Sequence, residues 1–338
     1  MTTAVATAMK QIPIVCPGHT RPLAELQYIN VDNDDNNTAE SSSVFLLSAC
    51  HDKMPMIRDG TTGDWIGTWM GHKGAVWSCQ MDPTGNLAAT ASGDYSARVW
   101  DAITGQSLIE LPHKHIVKTC VFSPNSQRLA TGGKEASLRI FDLSQILVKQ
   151  NNKKSDTTAA AAATPSVEIP QASPITKLAW VSDDLLLCSC VNGKIYLWNT
   201  VDQTLVRNFD TKEGAEIRDI EVCSITGSQK LILSVAAGTM VYFFDLSDSE
   251  SYKLIKEYKM PIHFRDEGGC TLHPSGTRFV AGGSDLWVRV FDFETGEALE
   301  CHKGHHGPIR CVRFSPDGQS YASGSEDGTI RLWKTSLS

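Results

Sequence analysis

The sequence predicts an all-β protein, a closed ring of seven small sheets. Three observations carry that reading: a repeat that returns seven times in phase, short strand runs set off by turn residues inside every copy, and a spare strand ahead of the first copy. No stretch shows sustained helical periodicity with caps, so strands are the only regular element the pattern supports.

The repeat is a spacing of residue types. A histidine or its substitute opens each unit, at His19, His72, His113, Gln171, Glu213, His263 and His305. Nine residues on stands an apolar strand residue: Tyr28, Met81, Phe122, Trp180, Val222, Leu272 and Phe314. A turn residue follows at Asp52, Asp94, Glu135, Asn192, Gly238, Asp285 and Asp327. Six beyond it come Arg58, Trp100, Phe141, Trp198, Phe244, Phe291 and Trp333, then Asp59, Asp101, Asp142, Asn199, Asp245, Asp292 and Lys334. Successive copies of that last position lie 42, 41, 57, 46, 47 and 42 residues apart. One Trp-Asp pair is a weak signal. Seven in phase describe units that cannot bury their faces alone and must stack into a ring.

Within a unit the strands follow from composition and turn chemistry. Leu87-Ala88-Ala89-Thr90 and Ala97-Arg98-Val99-Trp100 flank a tight turn. In Glu326-Asp327-Gly328-Thr329 the Asp-Gly pair is expected to supply the positive φ angles of a two-residue hairpin. Ser315-Pro316-Asp317-Gly318 reads as a second turn, repeated in Asp82-Pro83-Thr84-Gly85 and His273-Pro274-Ser275-Gly276. Met9 to Val15 is the spare strand, with Ile12 and Ile14 on one side, and the chain stops four residues after Lys334. A ring has to hide its edges, so the N-terminal strand is expected to complete the last unit.

Composition bounds the function. The 338 residues exceed an ordinary single core, a ceiling that repeat rings escape, so residues 1–338 are read as one domain. With 41% apolar and 20% charged residues the chain reads as soluble and globular. A net charge of −7 argues against bulk affinity for nucleic acid or anionic membrane. No apolar run approaches the ~20 residues of a membrane span, and the start lacks a signal peptide's features. An intracellular protein, cytoplasmic and nuclear, is expected.

Two insertions interrupt the repeat: residues 30–43, expected to form a mobile acidic loop, and residues 144–168, a low-complexity segment. In the second, Asn151 to Ala163 is compatible with disorder, a short helix or a docking segment.

Chemistry-bearing patterns are few. The ten cysteines show no C-x-x-C spacing, and Cys79, Cys120, Cys270 and Cys311 lie inside strand patterns. Cys188 and Cys190 share a strand face, as a redox pair or as buried apolar residues. His113-Lys114-His115 and Gly304-His305-His306 imitate metal pairs but lack a third ligand at a suitable spacing. Gly324 to Gly328 is a hairpin rather than a phosphate cradle, since no Gly-Lys-Ser/Thr or helix follows. No metal, no cofactor and no catalytic residue is predicted, and the expectation is a protein that is not an enzyme.

The Gly-His to Trp-Asp units resemble those of the WD-repeat β-propellers. That resemblance implies a seven-bladed propeller in which the His, a Ser or Thr, the turn Asp and the Trp of one unit form a hydrogen-bonded chain. The complete sets are then His72, Ser92, Asp94, Trp100 and His305, Ser325, Asp327, Trp333. It also implies a narrow top face that binds protein partners, with Trp77, Ile116, Lys118, Lys134, Arg218, Arg310 and His51 among the residues around its mouth. Trp77 flanked by cations has the character of an interface hot spot, or else it packs on the pore lining.

Within the family, Thr62–Thr68 running into Gly71–Trp77, with Gly18–Pro22, His113–Thr119 and Gly304–Trp333, is similar to a narrower group of scaffolds. That resemblance implies association with the SMN–Gemin assembly that loads Sm proteins onto small nuclear RNAs, with an unr-like RNA-binding protein, and with receptor-kinase signalling. RNA would be met only indirectly, by a monomer inside a larger complex. The group's acidic C-terminal extension has no counterpart here. Two alternatives stand beside it. The WD-repeat i subunit of translation initiation factor three shares Gly-His-x-Gly-Ala-Val-Trp and the last unit's Gly-Pro-Ile. A cullin-ligase substrate receptor would carry Arg two residues after Trp-Asp, where this chain has Ala102-Ile103 after Trp100-Asp101.

Overall fold

Alternating apolar and small residues between turn signals give strands of three to ten residues throughout the chain. The computed structural model describes residues 11–32, 42–144, 163–211, 214–248, 252–264 and 268–335. Twenty-eight strands form seven four-stranded antiparallel sheets, the blades of a propeller. Blade 1 consists of Leu23–Asp32, Ser42–Cys50, Met56–Asp59 and Trp65–Thr68. The innermost strands of blades 2 to 7 are Val76–Met81, Val117–Phe122, Ile175–Trp180, Ile217–Ser224, Gly269–Leu272 and Ile309–Phe314. Each packs on its neighbour, and the strand of blade 7 meets that of blade 1, so the ring is closed.

The sequence repeat and the sheet are out of step by one strand. Trp100-Asp101 ends the third strand of blade 2, and the fourth, Ser107–Pro112, leads to the next histidine. Seven repeats therefore leave the last blade one strand short. Ile14–Cys16 fills the place, pairing antiparallel with Ile330–Lys334 in the register Ile14 to Leu332 and Cys16 to Ile330. The expected strand of residues 9–15 is thus shorter and later; residues 9 and 10 lie outside the described residues. Its inward side chain is Cys16, while Ile12 is 90% exposed. Gly63, at φ +78°, lets the blade 1 turn lie against Cys16, where a Cβ would collide with the sulfur.

The core lies between blades. Leu47, Ala49 and Ile57 of blade 1 pack with Trp69, Val76, Cys79, Ala88 and Trp100, and the other gaps are filled alike. Cys188 and Cys190 are fully buried in one such cluster, and burial raises the Cys188 thiol well above its ordinary range. All ten cysteines are free. Among the described residues no helix is long and apolar enough to cross a membrane.

The polar chains differ from expectation in one member. His72 Nδ1 meets Asp94 Oδ2 at 2.8 Å, but its Nε2 meets Thr90 Oγ1 at 2.6 Å, and Trp100 Nε1 donates to the same oxygen at 2.8 Å. Blade 7 repeats this with His305, Asp327, Ser323 and Trp333. Ser92 and Ser325 stand outside both chains; each accepts the amide of its turn Asp. Alternation puts Thr90 and Ser92 on one face, but only the Thr90 hydroxyl lies within reach of both the His72 and the Trp100 ring nitrogens, while Ser92 is taken by the Asp94 amide. One tautomer satisfies every group: Trp N–H to hydroxyl, hydroxyl O–H to Nε2, Nδ1–H to carboxylate. Burial drives His305 down to about 4 and so keeps it neutral. Burial pushes Asp94 up, yet the bonds from His72, Ser96 and the Lys73 amide outweigh it and hold the carboxyl well below the usual range.

Blade 1 has a three-membered version, His19, Ser48 and Asp52, with buried Arg58 in the Trp position donating to Pro17 O and Gly63 O. In blade 3, His113 bonds Leu111 O and Thr131, and Glu135 pairs instead with Arg139 at 3.0 Å. Blade 6 departs furthest. Exposed His263 joins no such chain; Asp285 holds Arg289 at 2.6 Å, and stacked Phe279, Phe291 and Tyr258 fill the gap. Glu213 lies outside the described residues.

The hairpin expectation is also corrected. Gly328 takes φ +78°, but Asp327 does not enter the positive region, because its carboxylate is tied back to His305 and the His306 amide. The left-handed residue is the one after the acid, which is why Lys53, Tyr95 and Ala136 take φ of +74°, +68° and +55°. Of the insertions, residues 33–41 and 145–162 lie outside the described residues. Their flanks are strand: the inner strand runs to Asp32, its partner begins at Ser42, and Val167–Pro170 is the outer strand of blade 3.

Two outcomes check this account. Thr90→Val, which strands both His72 Nε2 and Trp100 Nε1, should cost about 1–3 kcal/mol by chemical denaturation. Ser92→Ala should cost less, and the reverse order contradicts the assigned chain. Deleting residues 1–16 should expose the Ile330–Lys334 edge and give an aggregating protein by size-exclusion chromatography. A soluble monomer of unchanged melting temperature contradicts the closure.

Candidate protein-interaction face

Among the described residues, six of the seven innermost strands carry an irregularity at the same place. Register slips by one residue between Leu23 and Glu25, Val76 and Ser78, Val117 and Thr119, Ile175 and Lys177, Ile217 and Asp219, and Ile309 and Cys311. The extra residue in each bulge is Ala24, Trp77, Lys118, Thr176, Arg218 or Arg310. A bulge re-aims the side chain it inserts. Here it turns these six toward the top mouth of the central channel, and all of them line one cavity of about 510 Å³.

Trp77 is the aromatic wall of that cavity. Lys118 Nζ lies 2.9 Å from the centroid of its ring, and His51 meets the ring edge-on at 4.2 Å. His51 is pushed down to about 4, first by burial and then by Arg310 and Lys118. Arg218 pairs with Glu216 at 2.8 Å, and Arg310 faces Glu326 at 3.9 Å. Of the predicted mouth residues the structure therefore brings Trp77, Lys118, Lys134, Arg218 and Arg310 together around one opening. His51 stands behind Trp77 rather than in the lining, and half-buried Ile116 lies outside it, just ahead of the inner strand. His115, read only as part of a metal-like pair, lines the mouth instead.

Sequence reasoning missed a belt of charges at mid-channel. Lys177 of blade 4 reaches across to Glu25 of blade 1. Arg313 of blade 7 holds Asp219 of blade 5 through two bonds of 2.6 and 2.7 Å, with Glu221 at 3.6 Å. Burial lowers Lys177 and Arg313, but their carboxylate partners outweigh it and raise both. Glu221 goes the other way, pushed up to about 7 by burial despite Arg313. Protein surrounds it, yet it lines the lower channel cavity and about 24% of its side-chain surface stays open. Below the belt a second cavity of about 530 Å³ opens on the bottom face. The signal was present in Arg218-Asp219-Ile220-Glu221, where acids take alternate positions on a strand that should be apolar.

One cluster among the described residues has donor atoms at metal-ligand spacing. The donor atoms of His19, Cys50 and Asp52 lie within 4.8 Å of one another. Ser48, the Met54 and Thr20 amides and Arg21 O already engage them, as a structural set would be.

The comparisons agree with this architecture. The WD domain, G-beta repeat family matches residues 63–101, 105–142, 165–199 and 296–334. The chain is similar to a Dictyostelium discoideum protein named serine-threonine kinase receptor-associated protein, 40% identical over 326 residues, 95% of this chain and 98% of that one. It is 40% identical to the Gallus gallus protein of the same name over 335 residues, 98% and 84% of the two chains. Subunit I of eukaryotic translation initiation factor 3 from Drosophila willistoni is a more distant relative, 29% identical over 336 residues, 93% and 95% of the two chains.

The belt predicts a specific double-mutant result. Arg313→Met, which leaves Asp219 buried without its cation, should destabilise by about 3–5 kcal/mol. Adding Asp219→Asn should restore a large part of that loss in the same melt, whereas additive losses contradict the pair.

Proposed function

The chain belongs to the family of serine-threonine kinase receptor-associated proteins, WD-repeat propellers, and from that premise we propose that it is a non-catalytic scaffold whose top face captures protein partners. The observation that carries the reading is the mouth itself. Strand bulges aim an aromatic side chain and a set of cations at one opening, while the repeat's own polar residues are consumed in holding blades together. Aromatic and arginine side chains around a recessed centre are the usual anchors of protein interfaces.

The scaffold is proposed to act in SMN-type assembly of spliceosomal small nuclear ribonucleoproteins, working in the cytoplasm and the nucleus. Its partners would be SMN–Gemin-type proteins and an unr-like RNA-binding protein, with RNA met only through them. Receptor-kinase signalling is the second context, supported by the name its relatives carry. The initiation-factor reading is favoured less, since identity falls to 29% there against 40% for the receptor-associated proteins.

Affinity purification of the tagged chain should bring down Gemin-type and Sm proteins. Trp77→Ala combined with Arg310→Glu should abolish that capture at an unchanged melting temperature. Undiminished capture removes the top face from the reading, and sedimentation with initiation complexes replaces the assembly role with the initiation-factor one.

A further inference from the structure

The lower half of the channel has a chemistry of its own. Its cavity of about 530 Å³ opens on the bottom face and ends, at mid-channel, on the belt of charges. Among the described residues, the charged ones in its lining are Glu25, Lys177, Glu221 and Arg313. Lys177 is spent on Glu25, and Arg313 gives two bonds of 2.6 and 2.7 Å to Asp219, which lines the cavity above. Glu221 is left with the Thr271 hydroxyl and, at 3.6 Å, the Nε of Arg313. Its Oε2 has no hydrogen-bond partner among the described residues. Burial, with Asp219 adding to it, outweighs those two contacts and pushes the carboxyl up to about 7. A buried carboxylate oxygen without a donor is costly, so a donor brought to it is favoured.

We propose that the bottom cavity is a docking site for a lysine side chain of a partner segment, its ammonium pairing with Glu221 at the floor of the channel. Lysine fits this floor better than arginine. Glu221 offers one oxygen, which suits a point charge, whereas a guanidinium fork is matched only by two. The walls suit the rest of the side chain, because Tyr28, Phe122, Trp180 and Phe314 give an aliphatic stem and its cation an aromatic surface. Pro124, Pro274 and Pro316, in the turns that follow the inner strands of blades 3, 6 and 7, offer the flanking backbone an apolar seat that a free amine would leave unused. The net charge of −7 draws a basic segment toward the molecule. A bound ammonium favours the ionised carboxylate, so docking expels the proton of Glu221. The other groups facing Glu221 keep their charge over the same range. Burial lowers Lys177 and Arg313, but Glu25 and Asp219 outweigh it and raise both, and burial keeps the Cys223 and Cys270 thiols neutral. This site lies on the face opposite the capture mouth and does not depend on it.

The test uses the full chain and the peptide Ser-Gly-Lys-Gly-Ser, blocked at both ends, titrated by calorimetry. The same peptide with acetyl-lysine, the same peptide with arginine, and butylammonium serve as controls. The lysine peptide should bind, the acetyl-lysine peptide should not, and the arginine peptide and butylammonium should bind more weakly. Affinity for the lysine peptide should rise about tenfold from pH 6 to pH 8, as Glu221 passes from mostly protonated to mostly ionised. Glu221→Gln, of the same shape and uncharged, should lower the affinity at pH 8 by about tenfold or more and abolish the pH dependence. Trp77→Ala should change neither. Absence of lysine-peptide binding, equal binding of the acetyl-lysine peptide, or indifference to Glu221→Gln overturns the proposal. So does tighter binding of butylammonium or of the arginine peptide, and so does loss of binding in the Trp77 variant, which would put the peptide on the top face. The pH profile and the acetyl-lysine control are read on the unaltered chain, so they decide the matter even where a variant fails to fold.

Discussion

The innermost strand of a blade has one edge with no strand beside it, and satisfying that edge is the constraint on which the ring depends. In blades 2, 3, 4 and 7 its amides are met by side chains of the preceding blade. Cys79 N donates to Glu25, Cys120 N to Ser78, Phe122 N to Gln80, Leu178 N to Thr119 and Phe314 N to Thr271. A buried amide without a partner costs about as much as a lost hydrogen bond. In these blades one sheet completes the next, and the contact between the inner strands of blades 7 and 1 closes the series. The same logic places polar and charged residues on channel-facing positions of the inner strands, and the mid-channel ion pairs are its extreme case.

The polar chains answer a different need, fixing the loop between blades to the hairpin of the next blade. They are complete in blades 2 and 7, partial in blades 1 and 3, and replaced by apolar contacts in the rest. The position held by Thr90 and Ser323 is Cys188, Val235 and Ala281 in blades 4, 5 and 6, read from the strand pairing. With no hydroxyl there, a histidine would have no partner for Nε2. Aromatic stacks such as Phe279 on Phe291, 4.9 Å apart, supply the packing instead. The two ways of filling the gap are physically exclusive, because a half-satisfied polar chain is worse than an apolar one.

What the sequence made legible follows from this division. Blade number and closure were readable, because the repeat marks turn and cap positions that recur with the chain's own period, whereas the mouth positions came only from the resemblance to the propeller family. The hydroxyl position was misread by two residues, Ser92 for Thr90, since both are small polar residues on the same strand and face. His263 was misread because the repeat was counted by type, whereas its ring is exposed and the blade 6 gap is aromatic. The mid-channel belt escaped because Lys177 and Glu25 are 152 residues apart, and no local pattern joins them. Only ring closure brings them face to face.

The bulge is where fold and function meet. A regular strand would fix Trp77 on one face of the sheet. Inserting one residue at the start of the strand frees that side chain from alternation and leaves the rest of the ladder in register, as the pairing of Ser78 with Ala91 through Met81 with Ala88 shows. The positions so released do not support the sheet, so they can vary in charge and size without disturbing the ring. Blade 1 uses one for Ala24, blade 4 for Thr176 and blades 2, 3, 5 and 7 for Trp77, Lys118, Arg218 and Arg310. An interface built from such positions inherits the rigidity of the inner strands while its chemistry is set almost independently of stability, which is what a scaffold that must recognise a particular partner requires.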